Sequence, residues 1–192
     1  MITTEQIKEL RDQTGVSVMQ CKKALEEAGG DTEKALVILR KASSLIAAKK
    51  ADRELGAGVV EAYVHTTKQV GAMVVLACET DFVAKNEAFV TLARDIAMHI
   101  AASAPTFKTK ADVRESDVAA AREVFLNEIK DKPHEMQEKI LEGKLQSYLK
   151  EQILLEQAFI KDPSRSINDL LTEATQKFGE RIEVTDFTRY SV

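Results

Sequence analysis

The chain has no tryptophan, only three prolines and two cysteines, and an aromatic content of 5%. Its core must therefore be built mostly from Leu, Ile, Val and Ala, which suits packed helices. With 44% hydrophobic and 30% charged residues over 192 positions, the composition is that of a folded globular chain, with room for one ordinary domain and a small satellite module. Cys21 and Cys78 lie far apart without paired spacing. That is neither a disulfide framework nor a zinc site, and it fits a reducing compartment; Cys78, inside an apolar run, reads as a small core residue. No apolar run approaches the roughly 18–20 residues of a membrane span. The opening Met1-Ile2-Thr3-Thr4-Glu5 lacks the basic-then-apolar profile of a signal peptide, so a cytoplasmic protein with no membrane contact is expected. Positive charge is short as well: 27 Lys and Arg against 31 Asp and Glu leave a net charge of −4. Nucleic-acid binders carry a basic stripe that releases counterions from phosphates, so no nucleic-acid partner is expected. The densest cationic stretch, Arg40, Lys41, Lys49, Lys50 and Arg53, reads as solvated linker charge.

Compact motifs of nucleotide or metal chemistry are missing too. There is no G-x-x-x-x-G-K-[ST] phosphate cradle. Gly56-Ala57-Gly58 begins a G-x-G, but Glu61 stands where the third glycine is needed, and the motif precedes a strand instead of following one. His65, His99 and His134 fall in three different elements without metal-ligand spacing, and no G-x-S-x-G elbow is present. No cofactor, metal or catalytic residue is expected. An enzyme would have to assemble its groups by tertiary folding alone, with Glu79 or Asp81 as the candidate base.

What is there begins with three short helices carrying explicit start signals. Thr3 with Gln6 forms a capping box, and Ile2 with Ile7 a hydrophobic staple across it; Gly15 ends the helix. Ser17 with Gln20, and Val16 with Cys21, repeat the device, and Gly29-Gly30 end the second helix. Asp31 caps a third helix with a stripe of Ala35, Leu36 and Leu39. Helices this short must bury their stripes against one another, which makes residues 1–42 a compact three-helix module.

Residues 43–57 turn Ala-, Lys- and Gly-rich and read as a partly helical linker. The core is expected over residues 58–192. Two strands, 59–66 and 73–78, flank a hairpin turn at 67–71. Asn86 caps a long helix with Phe89, Leu92, Ala93, Ile96, Ala97 and Ile100 on its apolar face, ending at Pro105. Helices follow at 116–130 and 134–157, separated by Pro133. A short strand at 159–161, turn chemistry in Asp162-Pro163-Ser164, a helix opened by Ser166 with Asp169 and ended by Gly179, and a closing strand from Ile182 toward Tyr190 complete the chain. The class is α+β, a helical module followed by a small antiparallel sheet packed by helices.

One junction stands out. Thr80, Asp81, Phe82 and Val83 set a carboxylate and an aromatic ring side by side where strand gives way to helix. In one reading Phe82 folds back onto the core while Asp81 caps the helix. In the other the ring projects as a wedge for a partner's pocket, as loops on a rigid scaffold often do.

Here the chain closely resembles the elongation factor Ts family. Cys78-Glu79-Thr80-Asp81-Phe82-Val83-Ala84-Lys85-Asn86 is similar to that family's signature around its T-D-F-V wedge. Leu10-Arg11, Thr14-Gly15 and Met19-Gln20-Cys21-Lys22-Lys23-Ala24-Leu25 resemble its opening pattern, followed by Gly30-Asp31, Glu33-Lys34-Ala35 and Leu39-Arg40-Lys41. Ile96-Ala97-Met98-His99-Ile100-Ala101-Ala102 and Lys161-Asp162-Pro163-Ser164 continue the match in the same order.

The resemblance implies a guanine nucleotide exchange factor for the GTPase elongation factor Tu in translation elongation, a role in protein biosynthesis without covalent chemistry. Residues 1–42 would be a ubiquitin-associated-like module. Thr80, Asp81, Phe82 and Val83 would enter the partner's nucleotide-binding domain beside its magnesium site and dislocate the metal. Val18 and Met19 match positions where the N-terminal module touches the same domain, and His99 matches a core position near the wedge, where partner contact and helix packing are both open. Longer members carry two core subdomains and a protruding helical hairpin, whereas here the wedge helix runs directly into residues 96–105. Such short forms resemble those that act as homodimers, with the exposed edge of the small sheet as the expected contact.

Overall fold

The computed structural model describes residues 2–130 and 133–192. Met1 and the side chain of His134, both named in the sequence reading, lie outside the described residues, as does the side chain of Glu135.

The first three helices form where their caps predict. Helix α1 (Thr4–Thr14) opens on the Thr3/Gln6 box, Gln6 N donating to Thr3 Oγ1 at 3.2 Å and Thr3 N to Gln6 Oε1 at 3.0 Å, and closes at Gly15 with φ +68°. Helix α2 (Val18–Glu27) has half of the expected box. Gln20 N donates to Ser17 Oγ at 3.4 Å, but the bond back to Gln20 Oε1 comes from the Ser17 hydroxyl. Asp31 caps α3 (Thr32–Lys50) by accepting from Lys34 N at 3.1 Å. Leu10, Val16, Cys21, Ala24, Leu25, Ala35 and Leu39 make one buried cluster, with Ile2 and Ile7 packed on its margin.

The third helix does not stop near residue 42. It continues to Lys50 because its Ala- and Lys-rich second half has strong helix formers and no breaker, and because it packs along the core helix Ile167–Phe178. Nor are its cations merely solvated. The Arg40 side chain lies 3.6 Å from Glu173, Lys50 Nζ donates to Gly179 O at 2.7 Å, and Arg53, just beyond the helix, pairs with Glu79 at 3.1 Å.

Strand β1 (Ala57–Val64) pairs antiparallel with β2 (Val70–Cys78). The turn between them falls at residues 65–69, two residues before the expected place, closed by His65 N donating to Val70 O and Lys68 N to His65 O. A single helical turn, α4 (Asp81–Ala84), leads into α5 (Glu87–Ser103), capped by Asn86 Oδ1 accepting from Ala88 N at 2.9 Å. Helices α6 (Glu115–Glu128) and α7 (His134–Gln152) form an antiparallel pair, joined by an edge-on Phe125–Tyr148 contact and a Lys144–Glu128 ion pair at 2.5 Å. A helical hairpin is thus present, although the resemblance to short forms pointed to its absence.

Strands β3 (Ala158–Phe159) and β4 (Asp162–Ser166) form a two-stranded ribbon. The expected turn at Asp162-Pro163-Ser164 is therefore the start of a strand. Its turn chemistry survives locally, Asp162 Oδ1 accepting from Ser164 N and Oγ at 3.2 and 2.7 Å, and Pro163 is tolerated on so short a ribbon. Helix α8 (Ile167–Phe178) opens on a full Ser166/Asp169 capping box and ends at Gly179, φ +73°. Strand β5 (Glu183–Ser191) then completes an antiparallel sheet of order β1-β2-β5.

The class is α+β. Helix α5 covers one face of the sheet, and its Phe89, Ala93, Ile96, Ala97 and Ile100 join Ile167, Leu170, Leu171 and Ala174 of α8 and Val74, Leu76 and Val184 of the sheet in a single core. On the opposite face Val60, Val64, Met73 and Tyr190 are exposed among the described residues. No helix among the described residues is long and apolar enough to cross a membrane.

Candidate functional site

Strand β2 delivers the chain to the Thr80–Val83 junction from the middle of the sheet. Ala84 is buried and Val83 packs against the core, so the inner side of the α4 turn is anchored by apolar contact. Phe82 points the other way and is 85% exposed. The reading in which this ring folds back onto the core is excluded. Asp81 does not act as the cap either. Thr80 occupies the N-cap position without a side-chain cap bond, while the Asp81 carboxylate takes a 2.6 Å bond from Lys85 Nζ, which holds its pKa below the usual carboxylate range.

The loop behind the ring is tied to the distant α8–β5 turn. Glu180 Oε2 accepts from Glu79 N at 3.1 Å and Thr80 N at 3.0 Å, and its Oε1 from Thr80 Oγ1 at 2.5 Å. In return Glu79 Oε1 accepts from Arg181 N at 2.6 Å, and both Glu79 oxygens from Arg53 Nη1 at 3.2 and 3.1 Å. The Arg181 amide, foremost, and then the Arg53 guanidinium hold the Glu79 carboxyl below its ordinary pKa. Cys78 Sγ donates to Thr80 O at 3.2 Å, and burial pushes this thiol up. No sequence signal named Glu180 or Arg181, and Arg53 read only as solvated linker charge; Gly179 marked only the end of a helix.

Val18 and Met19 stand at the start of α2, 51% and 81% exposed, on the module's surface. His99 differs. It is fully buried in α5, Nε2 lying 2.8 Å from Gln157 Oε1 and the ring 6.1 Å from that of Phe159. Of the two readings left open for His99, partner contact and helix packing, its buried position is that of a packing residue. Burial lowers its pKa against the opposing effect of the Gln157 bond.

Between the module and the core lies a cleft of about 700 Å³, bordered by Leu36 and Arg40 of α3, Thr91 and Asp95 of α5, Arg165, and Glu173 of α8. Arg165 bridges Asp162 at 2.7 Å and Glu173 at 3.0 Å, so the polar wall is internally paired. Among the described residues, no three His, Cys, Asp or Glu side chains gather as a metal ion would require. The arrangement as a whole offers a firmly backed, projecting aromatic ring with an anion beside it.

The family model described as Elongation factor TS matches residues 39–192. An elongation factor Ts from Thermodesulfovibrio yellowstonii is 48% identical over 192 residues, spanning 100% of this chain and 96% of that protein. One from Thermosipho melanesiensis is 46% identical over 194 residues, spanning 100% and 99%, and one from Thermotoga petrophila 44% over 191 residues, spanning 100% and 96%. The similarity to these relatives therefore includes the helices that precede the family-model match.

Proposed function

The chain belongs to the elongation factor Ts family, and from that premise we propose that it is a cytoplasmic guanine nucleotide exchange factor for elongation factor Tu, acting by binding alone. The observation that carries this reading is the exposed Phe82 on a loop bonded down at its base. Exchange is a linkage effect: a factor that weakens GDP binding is itself weakened by GDP in the same ratio. Swinging a site from 1:99 to 99:1 takes about 5.5 kcal/mol of differential affinity, whereas burying one Phe contributes roughly 1.5–3 kcal/mol. A wedge of Thr80, Asp81, Phe82 and Val83 therefore needs help from a second contact.

In this reading residues 1–42 are a ubiquitin-associated-like module that supplies it through Val18 and Met19, residues 43–57 connect, and residues 58–192 are the core. Phe82 displaces side chains beside the partner's magnesium, Asp81 brings negative charge to the same place, and the loosened metal releases the phosphates. Release of a fluorescent GDP from elongation factor Tu, followed with and without this protein, is the direct test. Binding without faster release would point instead to a plain protein-binding module.

The reading includes a homodimer, and its contact belongs on the bare sheet face instead of the sheet edge. Val60, Val64, Met73 and Tyr190 all expose themselves there. The register sets Val60 beside Val75, Ala62 beside Met73, and Val64 and Tyr190 on either side of Gly71. A contiguous apolar face of this kind suits an isologous twofold contact between two copies.

A further inference from the structure

An exposed ring has no packing of its own to hold it, so the position of Phe82 is set by the backbone that carries it. That backbone is a four-residue helix, too short to persist alone, and its N-cap residue, Thr80, makes no side-chain cap bond. The Thr80 hydroxyl goes to Glu180 instead. We propose that Glu180 is a positioning residue for nucleotide exchange: by accepting hydrogen bonds from Glu79 N, Thr80 N and Thr80 Oγ1, it holds the loop in the conformation that presents Phe82 outward. The proposal rests on the exchange reading above.

The geometry is that of a reciprocal clamp. Glu180 satisfies two amides of the wedge loop, and Glu79 of the wedge loop satisfies the amide of Arg181. Each loop thus closes the other's unpaired donors, with charge-assisted bonds stronger than neutral ones. The Arg53 guanidinium lies against the Glu79 carboxylate and offsets one of the two neighbouring anions, and Arg181, whose backbone amide reaches Glu79, donates Nη1 to Arg53 O at 2.6 Å. The inner contacts of Val83 and Ala84 fix one side of the turn; Glu180 fixes its entry. Without it the wedge-competent conformer becomes a fraction of the population, and a step that requires it slows by that fraction.

The test compares wild type with Glu180→Ala, Glu180→Gln and Phe82→Ala in the same GDP-release assay, titrating each protein to saturation. Positioning predicts that Glu180→Ala lowers the maximal release rate roughly tenfold while the half-saturating concentration stays within about twofold, because the other contacts with the partner remain. Glu180→Gln restores the rate, since its amide oxygen accepts from both backbone N–H groups and its amide nitrogen donates to the Thr80 hydroxyl. In the free protein, hydrogen exchange at the Glu79 and Thr80 amides speeds up in Glu180→Ala and not in Glu180→Gln. A merely destabilised fold would raise the half-saturating concentration and leave the maximum intact, and that pattern overturns the proposal. Glu180→Asp, which withdraws the carboxylate by one methylene, shifts the maximum in the same direction and serves if the alanine variant does not fold. An unchanged maximum in every folded variant, beside a slow Phe82→Ala, overturns the clamp alone. A wild-type protein without effect on GDP release overturns the exchange reading, and the clamp's role in exchange with it.

Discussion

Replacing Phe82 by alanine separates folding from function at a single side chain. The ring is 85% exposed, so its removal takes away almost no packing, and surface substitutions of this kind change stability by about 0.5 kcal/mol or less. For a chain of this size that is a melting shift of roughly 1–2 °C. On the partner the balance reverses. A ring buried only in the complex contributes roughly 1.5–3 kcal/mol, and at 1.4 kcal/mol per decade its loss slows stimulated GDP release about ten- to a hundredfold. The assay is stopped-flow release of a fluorescent GDP from elongation factor Tu under saturating factor, with thermal unfolding of the variant measured in parallel. Release within about twofold of wild type would refute the wedge, whatever the binding affinity. A large drop in melting temperature would refute the premise that the ring packs against nothing in its own chain.

Three further outcomes follow from the geometry. Val18→Ser combined with Met19→Ser removes exposed apolar contact from the module without touching its core, so the half-saturating concentration in the same assay should rise roughly tenfold or more while the melting temperature stays put. Met73→Glu sets a charge in the middle of the bare sheet face, between Ala62 and Thr188 in the register, and light scattering should find monomers where wild type gives dimers. Burial holds the pKa of His99 below its ordinary value near 6.5, so the unfolded chain binds more protons than the folded one as pH falls below that value. Stability is fully present above about pH 6.5 and declines as pH drops toward the lowered pKa. The depressed carboxylates of Asp31, Glu79, Asp81, Asp112, Asp117 and Asp162 act only further down, below about pH 4.5. Denaturant unfolding between pH 7.5 and 5 should therefore show a His99-dependent slope that His99→Gln removes; an unchanged slope in the variant would contradict a buried, neutral imidazole.

Much of the fold was legible because its signals are local. Thr3 with Gln6, Asn86, Ser166 with Asp169, Gly15 and Gly179 mark their helix ends through bonds that span two to four residues, and such bonds are readable along the chain. The Val- and Tyr-rich stretch of β1 and the tighter apolar run of β2 announced the hairpin through local composition. The wedge motif was visible as well, but not its orientation: Asp81-Phe82 beside an apolar run fits a ring turned inward as readily as one turned outward. Tertiary structure decided that by burying Ala84 and packing Val83 against the core, which leaves Phe82 on the outer side. It also decided how far α3 runs, since α8 supplies the surface that its second half lies on, and which sheet face stays exposed, since α5 packs on the other. The clamp was the least legible feature. Glu180 meets Glu79 and Thr80 across about a hundred residues of chain, and a hydrogen bond over that separation leaves no periodicity or spacing for a sequence to display.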